Sequence, residues 1–175
     1  MEHNLADSEP AGSGELGQTH YAAVGMVAVA WAKLEIAIDR TIWREAAVNE
    51  RTGACITTQL TGIYPRMRAL IALARLNGAS HGLISELNNL ADDSELLVRL
   101  RNRIVHDPWF VNAKTGEPFR LQVTADRKLD FDYHQMSTRD VIDVYDKIQA
   151  HINRFEKLVQ RMFHEPRLQS GPNSS

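Results

Sequence analysis

The stretch Leu100-Arg101-Asn102-Arg103-Ile104-Val105-His106-Asp107-Pro108-Trp109 is where one periodicity gives way to another. Upstream, Leu83, Ile84, Leu87, Leu90, Ala91, Leu97, Val98, Ile104 and Val105 share one face of a helix at about 100° per residue. Downstream, Phe119, Leu121 and Val123 alternate with Arg120, Gln122 and Thr124. Leu129, Phe131 and Tyr133 alternate in the same way with Asp130, Asp132 and His134. Such alternation marks half-buried strands. Trp109-Phe110-Val111 supplies a third strand across the Lys114-Thr115-Gly116 turn, and Ala125-Asp126-Arg127 joins the other two. Proline disfavours helical geometry at the residue before it, so Asp107-Pro108 ends the helix and leaves His106 in its last turn.

Working outward, a first helix is expected from about His20 to Val48, with a seam of Tyr21, Val24, Ala28, Trp31, Ile38 and Ile42. Asn49 to Gly62 is polar and Thr-rich and reads as a connection with room for a helical turn. A helix over Tyr64 to Leu76 follows, with Pro65 in its first turn and Asn77-Gly78 as its stop. Met67, Leu70, Ile71 and Ala74 mark its buried side; Arg66, Arg68 and Arg75 read as a solvated face. Ser80 starts the helix that carries Arg101. The last helix begins after Ser137, where Asp140 makes a capping-box-like start, and Pro166 stops it. Its seam, Val141, Tyr145, Ile148, Ile152, Phe155, Val159 and Met162, repeats at alternating steps of four and three. The expected fold is mainly all-α, a four-to-five-helix up-down bundle with a small β-hairpin or meander (about 109–134) inserted before the last helix. Residues 1–17 read as a flexible leader, 18–165 as the helical domain and 166–175 as a Gly/Ser/Pro tail.

Composition narrows the function classes. The 175 residues are 43% hydrophobic and 24% charged, a globular balance, with a net charge of -2. With a pI near 6.4, a bulk field that gathers nucleic acid is excluded, and any such contact must depend on local positive charge. The single Cys55 rules out an internal disulfide. No CxxC and no clustered His or Cys suggests a metal, and no cofactor is expected. The run Tyr21 to Ala32 reads as too short to cross a bilayer before Lys33 and Glu35. With no basic and apolar signal segment at Met1-Glu2-His3-Asn4, the expected compartment is the cytoplasm, away from any membrane.

Two charges sit where apolar residues belong. Arg101 falls at the centre of its helix's apolar face, and a guanidinium cannot shed its charge. Glu35 lies in the seam of the first helix. Either the two face each other as an ion pair across the bundle, or Glu35 sits at the seam's edge and reaches water. Five residues after Arg101 comes His106, the side chain most easily poised for proton transfer near neutral pH. Asn102 and His106 are i and i+4 and share a side of the helix; Arg103 and His106 are i and i+3. Together they can handle phosphate if a groove or partner brings RNA to them. A plainer reading makes His106 a helix C-terminal cap favoured by the dipole and Arg101 a structural partner of Glu35. Arg99 and Arg103 are then simply solvated.

Four helices with a small β insertion and Arg-Asn-x-x-x-His at the end of the third helix resemble the HEPN superfamily. That family's ribonuclease signature is an arginine, usually followed by a polar residue, then a histidine after four to six positions. Arg101, Asn102 and His106 match it, with four residues between Arg101 and His106. The resemblance implies a metal-independent endoribonuclease, acting as a homodimer with both motifs at the two-fold cleft. His106 would then be general base, His106 of a second copy the acid, and Arg101 the stabiliser of transition-state charge. Asn102 would orient phosphate or imidazole, Arg103 would bind backbone phosphate and Glu35 would support Arg101. It also implies RNA rather than DNA as substrate, a toxin or anti-phage role, and an antitoxin or regulatory protein as partner. Other members of the family serve as non-catalytic dimerisation or ligand-binding modules. One branch carries a tyrosine two residues after the histidine, where an antitoxin modifies it; here Pro108 stands in that place.

Overall fold

The computed structural model describes residues 14–126 and 128–164. Elements follow in the order α1 (Gln18–Glu45), α2 (Glu50–Thr57), α3 (Ile63–Leu76), α4 (His81–His106), β1 (Trp109–Val111), β2 (Pro118–Asp126), β3 (Lys128–Gln135) and α5 (Thr138–His164). The fold is mainly α, with the small sheet inserted before the last helix as expected. Residues 1–13 of the leader, Arg127 of the expected turn, and the tail with Pro166 lie outside the described residues.

Close packing divides the chain into two compact units that both draw on α1, α4 and α5. One holds residues 14–29 together with Leu100–Asp146; the other holds Ala30–Arg99 and residues 147–164. The second unit is a helical bundle. Leu34, Ile38, Met67, Leu70, Leu83, Leu87, Ile148, Phe155 and Met162 are all but inaccessible within it. Each such side chain contributes about 1.5–3 kcal/mol on leaving water, which outweighs the weak helix propensity of Gly82, Asn88 and Asn89. Along α4 the buried positions Leu83, Leu87, Leu90, Ser94 and Leu97 step by four and three, and Arg101 takes the next step before Ile104. The arginine is thus in register with the buried stripe.

Three expectations are corrected here. Asn49 to Gly62 contains a full helix, α2. The Asn49 side chain caps it by accepting from Thr52 N at 3.0 Å. Trp43 of α1 lies so close over Gly53 that a Cβ there would meet the indole at 2.3 Å, and its Nε1 donates to Thr57 Oγ1 at 3.1 Å. Gly and Thr disguised the helix, because what they supply is clearance and a hydrogen bond, not apolar periodicity. Tyr21 is 58% exposed; the buried line at the start of α1 runs through His20, Ala23 and Val27. In an Ala/Val-rich helix the apolar positions surround the axis, and the wheel cannot choose a face. Arg66 is not a solvated cation but binds Asp39 through Nε at 2.8 Å and the carbonyls of Leu60 and Gly62.

The helix α1 is long and apolar enough to cross a membrane by length and composition, with a window of mean hydropathy 1.6. The run from Tyr21 to Ala32 therefore understates it. In the bundle unit its Leu34 and Ile38 are fully buried against protein.

The sheet is a simple antiparallel meander, β1-β2-β3. Its register sets Trp109, Arg120 and His134 side by side on one face. Phe110, Phe119, Leu121, Tyr133, Val123 and Phe131 line the other. Phe119 is buried, whereas Phe110, Val123, Leu129 and Phe131 stay open to solvent. The aromatics therefore pad the unit only in part.

Candidate functional site

The last turn of α4 belongs to the unit that holds the sheet, and so do all the groups that fix it. Trp109 Nε1 donates to the carbonyl of Ile104 at 2.8 Å, satisfying one of the acceptors that a helix end leaves without a partner. Asp107 N still donates to Arg103 O, and its carboxylate binds Arg120 Nη1 of β2 at 2.7 Å. Leu121 N donates to Pro108 O at 2.9 Å, so the chain enters the sheet directly. His106 thus sits between a helix and a strand that are both anchored. Its side chain is exposed.

Arg101 is half-buried and reaches outward to it. Its Nη1 lies 2.9 Å from His106 Nε2 and 3.0 Å from Asn102 Oδ1. A guanidinium only donates, so Nε2 must be the acceptor, and the imidazole in this pair is neutral with its proton on Nδ1. The Nε of Arg101 is buried and finds no acceptor among the described residues. Such an unmet donor costs about 1–3 kcal/mol, so the arginine is not placed where packing alone would put it.

The sequence pattern brings Arg101, Asn102 and His106 together, as expected. Asn102 holds the arginine, not the histidine. Arg103 is half-buried in the same turn and has no side-chain partner among the described residues. Among the described residues Arg101 finds its side-chain partners in its own unit, Asn102 and His106, and not in Glu35, for which the ion pair was one of two placements the spacing left open. Glu35 belongs to the other unit, where its Oε1 lies 3.9 Å from Arg66 Nη1. Helical periodicity identified a carboxylate on a seam but could not say which neighbouring helix would supply its cation.

Sequence reasoning missed the anchors. Arg120 and Asp107 are 13 residues apart in different elements, and only the strand register, which no local pattern fixes, brings them together. His20, 3% exposed, is a second histidine of this unit. It lies edge-on to Trp109 with ring centroids 4.4 Å apart, and its Nδ1 is 3.1 Å from Thr138 Oγ1. Burial pushes its pKa down. Among the described residues no group of three or more His, Cys, Asp or Glu is placed to hold a metal ion.

The arrangement offers one exposed imidazole with a lone pair on Nε2, a guanidinium at hydrogen-bonding distance from it, and a further arginine in the same turn. These are the parts needed to take a proton and to meet an anion. No protein-family model, curated protein or solved structure matches the chain.

Proposed function

We propose that the chain is a metal-independent endoribonuclease of HEPN type, with Arg101, Asn102 and His106 as its site. The observation that carries this reading is the 2.9 Å contact between Arg101 Nη1 and the exposed His106 Nε2 at an anchored helix end. RNA brings its own nucleophile. His106 Nε2 takes the proton of the 2′-OH, O2′ forms a bond to phosphorus, and the P–O5′ bond breaks. The departing 5′ oxygen takes a proton from a protonated histidine, which in a homodimer is His106 of the second copy. Products are a 2′,3′-cyclic phosphate and a 5′-hydroxyl, and DNA, lacking the 2′-OH, is inert. Arg101 moves its Nη1 from His106 to a non-bridging oxygen as charge builds there, which frees the lone pair as substrate arrives. Arg103 would hold a neighbouring phosphate and Asn102 would keep the guanidinium aimed. Glu35, bound to Arg66, has no part in this.

One observation favours a second reading. The lone pair that a general base uses is already occupied by Arg101, as in a pair whose only task is structural. On that reading the chain is a non-catalytic dimerisation or ligand-binding module. Incubation of the purified protein with labelled RNA in EDTA, with His106→Ala beside it, separates the two. The nuclease yields cyclic-phosphate ends that the variant does not; RNA left intact by both proteins favours the module. A cytoplasmic toxin or anti-phage effector held by an antitoxin or regulatory protein is the biological setting this chemistry suits.

A further inference from the structure

The β1–β2 connection is pinned by its own polar groups. Asn112 Oδ1 accepts from the backbone N–H of Lys114 at 2.9 Å and of Thr115 at 3.2 Å. Thr115 Oγ1 accepts from Glu117 N at 3.3 Å, and Gly116 N donates to Asn112 O at 2.8 Å with φ at 72°, which favours glycine. The turn so formed sets Glu117 beside Gln135 of β3, whose Nε2 donates to Glu117 Oε2. Beside them on the same sheet face Phe119, the register partner of Gln135, meets Tyr133 edge to face, centroids 6.0 Å apart at 63°, with Phe110 stacked on Phe119 at 5.5 Å. These groups enclose an open cavity of about 220 Å³ lined by Asn112, Thr115, Glu117, Phe119, Tyr133 and Gln135.

We propose that this cavity binds a guanidinium group, the head of an arginine carried by a partner protein. Its lining contains one carboxylate and no lysine or arginine, so it favours a cation. Glu117 Oε1 and Gln135 Oε1 have no donor among the described residues, which leaves two acceptor oxygens on residues of the lining. Phe119 and Tyr133 add aromatic rings to the same lining. A planar cation with in-plane N–H donors and a face that stacks on rings complements both. An ammonium satisfies the carboxylate but offers no plane to stack. A nucleotide would bring its phosphate toward Glu117 with no cation in the lining to receive it. The volume lies below the roughly 300–1,000 Å³ of sites for drug-sized ligands, so one side-chain head fits and a cofactor does not. The source follows from the same sheet face. By register Val123 and Phe131 lie on the side of Phe119 and Tyr133, and they are 49% and 39% exposed. Apolar flanks beside an acidic cage fit an arginine set among apolar residues on a protein, not a free metabolite. This site does not depend on the nuclease reading.

The test is an NMR titration of the full chain with N-acetyl-arginine amide, its lysine counterpart, and an acetylated Leu-Arg-Val amide. The arginine derivative should shift the amides of Thr115, Gly116, Glu117 and Gln135 and saturate. The lysine derivative, and arginine with Glu117→Gln, should each bind at least about tenfold more weakly, given the usual worth of a stacked, charge-paired cation. Glu117 is exposed and the change isosteric, so the fold is retained. Tyr133→Leu should weaken binding by several fold, which a purely electrostatic site would not do. The tripeptide should bind several fold tighter than the bare derivative. Equal binding of arginine and lysine, or no effect of Glu117→Gln, overturns the site; equal binding of derivative and tripeptide overturns the assignment to a protein partner.

Discussion

Arg101 donates to His106 Nε2 across 2.9 Å, so guanidinium and imidazole form one unit at the end of α4. The arginine holds a position in the buried stripe that an apolar side chain would fill more cheaply, and its Nε remains without an acceptor among the described residues. Stability and activity should therefore part company in Arg101→Met. The fold loses a poorly satisfied cation and gains apolar contact, so the melting temperature should hold or rise, within the few degrees that about 1 kcal/mol shifts a chain of this size. RNA cleavage should fall by roughly 10²–10³, the loss usual when one donor to developing charge is removed. Thermal melts and single-turnover cleavage on the same preparation decide it. A variant that melts much earlier and still cleaves would reverse the assignment.

Asp107 and Arg120 fix the residue after the histidine. Both side chains are mostly buried, 20% and 11% exposed, and the arginine's Nε has no acceptor among the described residues. Removing the carboxylate leaves the more buried partner uncompensated. Asp107→Ala should cost about 2–4 kcal/mol, toward the lower end of what breaking a buried pair costs. Arg120→Met should cost less, because Asp107 reaches water more easily. The double variant should resemble Arg120→Met. Urea unfolding of the four proteins forms a cycle, and a coupling near zero would mean the pair is incidental.

In the bundle unit His151, 4% exposed, lies 3.0 Å from Ser94 Oγ, whose hydroxyl donates onward to Leu90 O at 2.7 Å. The serine must then accept, so His151 carries its proton on Nε2. Burial pushes the His151 pKa below the usual histidine value, Arg154 pushes it further the same way, and Asp93 opposes them. Burial does the same to His20. With folded values depressed, the unfolded chain binds protons first as pH falls. Stability is complete above the usual histidine value of about 6.5 and drains away as pH drops from there through the folded values. The urea midpoint should thus be lower at about pH 5 than at about pH 7.5, and His151→Leu should flatten that difference. A slope unchanged in the variant would remove His151 as its source.

What the chain disclosed of itself follows physical range. Helix α4, its arginine out of place, and the Asp107-Pro108 stop are features of spacing within one element, and spacing survives folding. The alternation of β2 and β3 was readable for the same reason. Helix α2 was not, because Gly53 and Thr57 matter only through Trp43. The contact of Glu35 with Arg66 was not legible either, because a wheel gives a face but not the neighbour beyond it, and it left an ion pair with Arg101 and a place at the seam's edge equally open. Tyr133 was legible only as a strand position, and Glu117 and Gln135 not at all, since a cage made by a turn and two strands exists only once register is set.

Trp109 links stability to the site. Its indole caps Ile104 O at 2.8 Å and its ring lies edge-on to His20, so one side chain holds both the end of α4 and the start of α1 within the sheet-bearing unit. Trp109→Phe keeps most of the ring and loses the hydrogen bond to Ile104 O. The expected loss is about 1 kcal/mol of stability. His106 lies two residues beyond that carbonyl, and a looser final turn spreads the imidazole over more positions than the reaction tolerates. Amide exchange at Val105 and His106 should quicken, and kcat on RNA should drop several fold with KM little changed. Trp109→Ala, which also opens a void beside His20, should lose several times more stability. If Trp109→Phe leaves both exchange and kcat at the parent values, the indole is packing only, and the Asp107–Arg120 pair and the Leu121–Pro108 backbone bond hold the histidine in place.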